Sequence, residues 1–180
     1  MSSTSTQSST IVSSPTRRVH GVAAIVEDGV LAGITGASVV ALWFFLFDAI
    51  GGKPFWTPSL IGSVLFLGKR VEEVTSVNAT IVFAYSGLHG AAFLLVGTAI
   101  AWMFSLVERN PQFGLVMVLL FVLFQSVIFG FEVTIVPSLV GALGAWAVAV
   151  ANLLSAVAMF WFLLIRRPEA MSRLRAGWNE

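Results

Sequence analysis

Residues 80–107 read TIVFAYSGLHGAAFLLVGTAIAWMFSLV, a long apolar run with one histidine, His89, set well inside it. No charged side chain occurs between Glu73 and Glu108. About 20 consecutive apolar residues cross the hydrocarbon core of a bilayer, so this stretch predicts a membrane-spanning helix. The remaining apolar runs predict further helices packed around it.

The whole chain supports a bilayer environment. Of its 180 residues 57% are hydrophobic and 11% charged, and the mean hydropathy is +0.92. A water-soluble domain carries about 25% charged residues, so there is too little polar surface here to cover a soluble globule. A net charge of +1 gives no electrostatic footprint for nucleic acid. Zero cysteines exclude disulfides, thiolate metal sites and thiol nucleophiles together.

Taken in order, residues 1–18 form a Ser/Thr-rich tail of low complexity, which cannot bury enough apolar surface to order itself. Residues 19–26 suggest a short interfacial helix ending at Glu27 and Asp28. A first span is expected over about 29–50, opening GVLAGITGA and closing at Asp48. Gly29, Gly33 and Gly36 in that opening are small residues at helical spacing, which let helix backbones approach closely. Between this span and the next, Thr57 and Pro58 read as N-cap and first helical position, and Gly68 as a stop. The segment between them, about 58–67, is too short to cross and carries Leu60, Ile61, Val64 and Leu65 on one face and Ser59, Gly62 and Ser63 on another. It is expected as an amphipathic interfacial helix, either a plain connector or a lid over polar groups below. The second span, about 79–107, offers Gly90 and Gly97 as close-contact positions. A third span is expected over about 113–133 and a fourth over about 138–165, the latter with Gly141, Ala145, Ala149, Asn152 and Ala156 toward one face and Ala147, Ala151, Ser155 and Ala158 toward another. Residues 168–180 form a basic tail. The expected fold is therefore all-α: one transmembrane domain, residues 19–167, built as an integral membrane four-helix bundle with the short interfacial helix between spans one and two.

Four spans put both termini on one side. That side holds Arg17, Arg18, Arg109, Arg166, Arg167, Arg173 and Arg175, and the other holds Lys53, Lys69 and Arg70. Basic residues are retained in the cytoplasm, so both termini are expected there, in a cell inner membrane. The C-terminal arginines anchor this topology and can also hold anionic lipid head groups.

Ionisable groups inside a membrane are expensive and are functional candidates by default. With this orientation Asp48, His89 and Glu132 lie toward the outer half of three different spans. Tyr85 shares a face with His89, Gln125 shares one with Glu132, and Asn152 lies near mid-depth on the fourth span. A histidine between carboxylates can relay protons or hold a cation. The competing structural roles are helix-end capping for the two acids and interhelical hydrogen bonding for His89 and Asn152. A converged polar site requires the His89 ring to lie within about 7 Å of a carboxylate, the reach of one bridging water. No zinc, hydrolase or nucleotide-binding motif occurs, and no metal or cofactor is expected. Two-histidine haem ligation has only His89 available inside the membrane.

DAIGGKPFWTPSLIGSVLF after the first span, YSGLHGAAFLLVG in the second and FGFEV in the third together resemble a group of small bacterial four-span membrane proteins of unknown function. The resemblance covers about residues 29–133. It implies the span count and an inner-membrane home, lends no activity, and marks Asp48, Thr57, Pro58, His89 and Glu132. The expectation is a non-enzymatic binding or accessory membrane component whose partners are the bilayer and a homo-oligomer or larger membrane complex. The alternatives are an oligomeric proton-coupled or cation-handling carrier, and a redox or enzyme subunit completed by a partner.

Overall fold

A computed structural model describes residues 21–109, 119, 122, 126 and 137–168. The described residues form helices only: α1 (Val22–Ile50), α2 (Trp56–Leu67), a 3-10 turn (Val71–Glu73), α3 (Ala79–Arg109), α4 (Pro137–Leu143) and α5 (Ala145–Arg166). Three of them, α1, α3 and α5, are long and apolar enough to cross a membrane. The N-terminal tail, Gln125, Glu132 and the residues after Pro168 lie outside the described residues.

Helix α1 is the central element. It runs without a break from Val22, so Glu27 and Asp28 sit inside it rather than ending a separate interfacial helix. Charges exposed to lipid would stop a span, but Asp28 is paired, as shown below, and the helix continues through it. On one side α1 meets α3 in antiparallel register. A Cβ on Gly97 would strike the Gly29 carbonyl and the Gly33 backbone, and one on Gly33 would strike the Phe93 carbonyl. Lipid offers no hydrophobic drive for helices to associate, so such backbone contact, which maximises van der Waals attraction, is what holds the pair.

On its other side α1 meets α5, again antiparallel. Gly36 receives the Met159 side chain, and Ser155 donates its hydroxyl hydrogen to the Gly36 carbonyl at 3.2 Å. Nearer the far end, Trp43 donates its indole N–H to the Ala147 carbonyl at 3.1 Å. The packed face of α5 is thus Ala147, Ala151, Ser155, Met159 and Leu163. Ala145 and Ala149, expected at a helix contact, are exposed. Gly90 on α3 has nothing within 4 Å of where a Cβ would be. The reason is register: α5 offers small residues on two faces, and α1 takes the one that also carries Ser155 and Met159.

The core follows this arrangement in three clusters. Ile25 and Ala32 pack with Ala101, Phe104, Met159 and Leu163 near the start of α1. Phe44 packs with Ala147 and Ala151 near its end. Beyond that end, Leu60 of α2, Val74 and Leu139 of α4 form the third. The end of α3 and the start of α4 therefore lie at opposite ends of the bundle.

Candidate functional site

The polar side chains gather in three places along α1. At its end, Asp48 is buried and turns back onto α2. Its Oδ2 accepts the Thr57 backbone N–H and its Oδ1 accepts the Thr57 hydroxyl, both at 2.7 Å. Helix α2 begins at Trp56, one residue earlier than the expected N-cap, so Thr57 is not the cap but the residue that is capped. A carboxylate at this position satisfies a free first-turn donor and complements the positive end of the helix. Phe55, just before, adopts a left-handed backbone (φ +65°) and packs its ring 5.1 Å from Phe45. That strained residue lets the chain turn sharply enough to present Thr57 to Asp48.

The same first turn of α2 holds the start of α3. Ser59, fully buried, accepts the Asn78 N–H on its hydroxyl oxygen at 2.9 Å, and Asn78 Oδ1 accepts the Ile81 N–H at 3.2 Å as the N-cap of α3. One turn of α2 thus ties the end of α1 to the start of α3. Replacing Asp48 with Ala is expected to lower stability by about 1–3 kcal/mol, because Thr57 keeps a buried hydroxyl without that acceptor. Thr57→Val, which spares the N–H bond, should cost about 1 kcal/mol. Thermal unfolding in detergent measures both, and equal losses would show that the N–H bond to Asp48 carries no weight.

Midway along α1, His89 Nε2 lies 3.4 Å from the Ala37 carbonyl, a long contact at which the ring donates if that nitrogen is protonated. Tyr85 stacks on the ring at 5.9 Å and Phe93 packs against it at 4.7 Å. Asp48 lies eleven residues further along α1 than Ala37, about 16 Å at 1.5 Å per residue. Asp48 and His89 therefore do not meet, and each makes its own contact within the chain; the Glu132 part of the expected site falls outside the described residues. The reason is that Asp48 lies level with α2, where the nearest uncapped donors are, while His89 lies three turns deeper. Gln125 and Glu132 are outside the described residues, and Asn152 is half-buried on α5 beside Ala151. Among the described residues no group of three or more His, Asp or Glu side chains could hold a metal ion.

The third place had no part in the expected site. Near the start of α1, Asp28 is 5% exposed and accepts from two arginines at the end of α5. Arg166 Nε donates to Oδ1 and Arg167 Nε to Oδ2, both at 3.0 Å, while Arg166 Nη2 also reaches Glu27 at 3.0 Å. The Arg167 side chain is fully buried. These two arginines are therefore engaged by carboxylates near the start of α1. A sequence signal for this existed: an acidic pair at the start of the first span and a basic pair at the end of the last fall on one side of the membrane when the span count is even.

Outside the spans, Glu73 accepts from Arg70 Nε at 2.9 Å and from the Arg70 N–H at 3.1 Å. The Arg70 side-chain bond, then its backbone bond, hold the Glu73 carboxyl below the usual carboxylate value. This pair is open to solvent and shapes the loop between α2 and α3 rather than a site.

No family model matches the chain, no curated protein matches it, and no solved structure matches it.

Proposed function

We propose that the chain is a four-span inner-membrane protein with both termini cytoplasmic, and that it serves as a rigid binding or accessory component of a membrane assembly. The observation that carries the functional reading is that α1 is fastened at both ends and in the middle to its own chain. Asp48 and Ser59 tie α1, α2 and α3 at one end, Asp28 ties α1 to α5 at the other, and Ser155 and His89 bond α1 carbonyls between them. Carriers work by rocking one bundle against another around a midplane site. A bundle fastened at both ends suits a fixed scaffold that presents its surface to a partner.

The fourth crossing rests on connectivity. Residues 110–136 join the end of α3, beside Ile25, to the start of α4, beside Leu60, and those points lie at opposite ends of the bundle. Leu119, Val122 and Ser126 are helical, and Ser126 donates to the Val122 carbonyl one turn back at 2.8 Å. Both features agree with a span over about 113–133.

Purification in mild detergent tests the function: a stoichiometric membrane partner is expected. Proton or cation uptake by proteoliposomes holding this chain alone would overturn the reading in favour of a carrier, and a visible haem band in favour of a redox subunit. For topology, a reporter fused after Glu180 should read cytoplasm and one inserted at Lys53 the periplasm. The opposite pattern would invert the orientation.

A further inference from the structure

Helix α2 is inside out for a helix that lies in contact with water. From Pro58 to Leu67 every side chain that is not buried is apolar: Pro58, Ile61, Val64, Leu65, Phe66 and Leu67. Both serines, Ser59 and Ser63, are buried, as is Gly62, whose Cα backs onto Ile81 and Tyr85 of α3. A surface-lying amphipathic helix would show the reverse, with its polar face in water.

The backbone of α2 carries a second, independent sign. The four N–H positions of a first helical turn normally rely on water or caps. Here the Trp56 N–H goes to the Lys53 carbonyl at 3.1 Å and the Thr57 N–H to Asp48 at 2.7 Å, and the Ser59 N–H then makes the first regular helical bond, to the Phe55 carbonyl at 3.3 Å. Residue 58 is proline and has no N–H. At the other end Gly68, left-handed at φ +63°, brings the Lys69 N–H onto the Ser63 carbonyl at 3.4 Å. Protein acceptors for the first two N–H groups and a proline where the third would be suit hydrocarbon, where no water can take their place.

We propose that α2 is a half-helix embedded in the acyl chains of the leaflet on the Lys53 side, with lipid as the partner of its Ile61–Leu65–Phe66 edge. Leu42, Phe45 and Leu46 of α1 are exposed apolar side chains too, and the Phe45 ring packs 5.1 Å from Phe55 just before α2. Cations mark where water resumes on either side: Lys53, whose ammonium stands 4.9 Å over the Trp56 ring, and Lys69 with Arg70. Lysines of this kind keep their heads in water while their stems lie along apolar surface. At 12 residues, about 18 Å, α2 cannot cross, and its first turn is held at the membrane end of α1 by Asp48.

This inference rests on the membrane-spanning reading, and one experiment separates the two. The chain has no cysteine, so single-cysteine variants need no prior substitution. Leu65→Cys and Phe66→Cys probe α2, Lys69→Cys is the water control, and Leu95→Cys, 74% exposed on α3, is the span control. Each variant is spin-labelled, reconstituted into phosphatidylcholine–phosphatidylglycerol vesicles, and measured for relaxation by oxygen and by a polar nickel chelate. Oxygen partitions into hydrocarbon and the chelate does not. Labels at 65 and 66 should match 95, with oxygen the stronger relaxer, and the order should invert at 69. If 65 and 66 match 69 while 95 stays oxygen-dominated, α2 lies in water and the proposal fails. If 65 and 66 are shielded from both reagents, protein covers the edge and the proposal also fails. If 95 itself is nickel-dominated, the membrane-spanning reading falls, and this proposal with it.

Discussion

Gly97→Leu is expected to cost about 3 kcal/mol or more, at or above the upper end for overpacking a tight contact. A Cβ at this position already meets the Gly29 carbonyl and the Gly33 backbone, and a longer side chain has nowhere to turn. Overpacking is usually relieved by rotamer changes in neighbouring side chains, but both neighbours here are glycines and the obstacle is main chain. Relief therefore requires α1 and α3 to separate. Separation would also pull His89 from the Ala37 carbonyl, so the loss spreads beyond the point of contact. Ala149→Leu is the comparison. Ala149 is exposed on α5, and substitution there should change stability by no more than about 0.5 kcal/mol. Unfolding midpoints in detergent for the two variants give the test. A Gly97→Leu midpoint close to that of Ala149→Leu would mean that α1 and α3 do not meet through these glycines.

That contrast also marks how far the residues could be read without coordinates. The apolar runs around residues 29–50, 79–107 and 138–165 are plain in the sequence, because spans must be continuous and uncharged, but the break at Gly144 (φ +81°) that divides the last run into α4 and α5 is not. Gly68 was legible as a stop because a left-handed residue there is a local matter. Gly29, Gly33 and Gly97 could be picked out as close-contact residues, but not Gly90 or Ala149 as open ones. Small residues lie on two faces of α5, and spacing alone does not say which face a neighbour takes. Asp48 and His89 were recognisable as groups that needed partners. Their partners, the Thr57 N–H nine residues on and the Ala37 carbonyl 52 residues back, depend on how the chain turns at Phe55 and on helix register. Glu27 and Asp28 suggest the end of a short interfacial helix, because unpaired charge cannot continue into lipid. The pairing that lets them lie within a helix spans 139 residues of chain and becomes visible only once α1 and α5 are placed side by side.

The Asp28 pairing carries the second large expected effect. Asp28→Asn keeps the shape of the side chain but removes from the fully buried Arg167 the carboxylate that its Nε faces. Breaking a buried pair from one side costs about 3–5 kcal/mol, since the remaining charge keeps its desolvation cost. Arg167→Met should be milder. It removes the buried charge itself, and Asp28 retains Arg166, whose Nε and Nη2 both lie 3.0 Å from Oδ1. The two substitutions should therefore be strongly non-additive. In the double variant no buried guanidinium faces a neutral amide at position 28, so it should be more stable than Asp28→Asn alone. Arg166 keeps Glu27 in either case. Unfolding of the wild type, both single variants and the double variant closes the cycle, and neighbouring groups that act together show a coupling of about 0.5–3 kcal/mol. If the double variant loses the sum of the two single losses, Asp28 and Arg167 do not act on one another. Helices α1 and α5 would then be joined by packing alone, and that end of the bundle would lose the ionic fastening that supports the proposed role as a fixed scaffold.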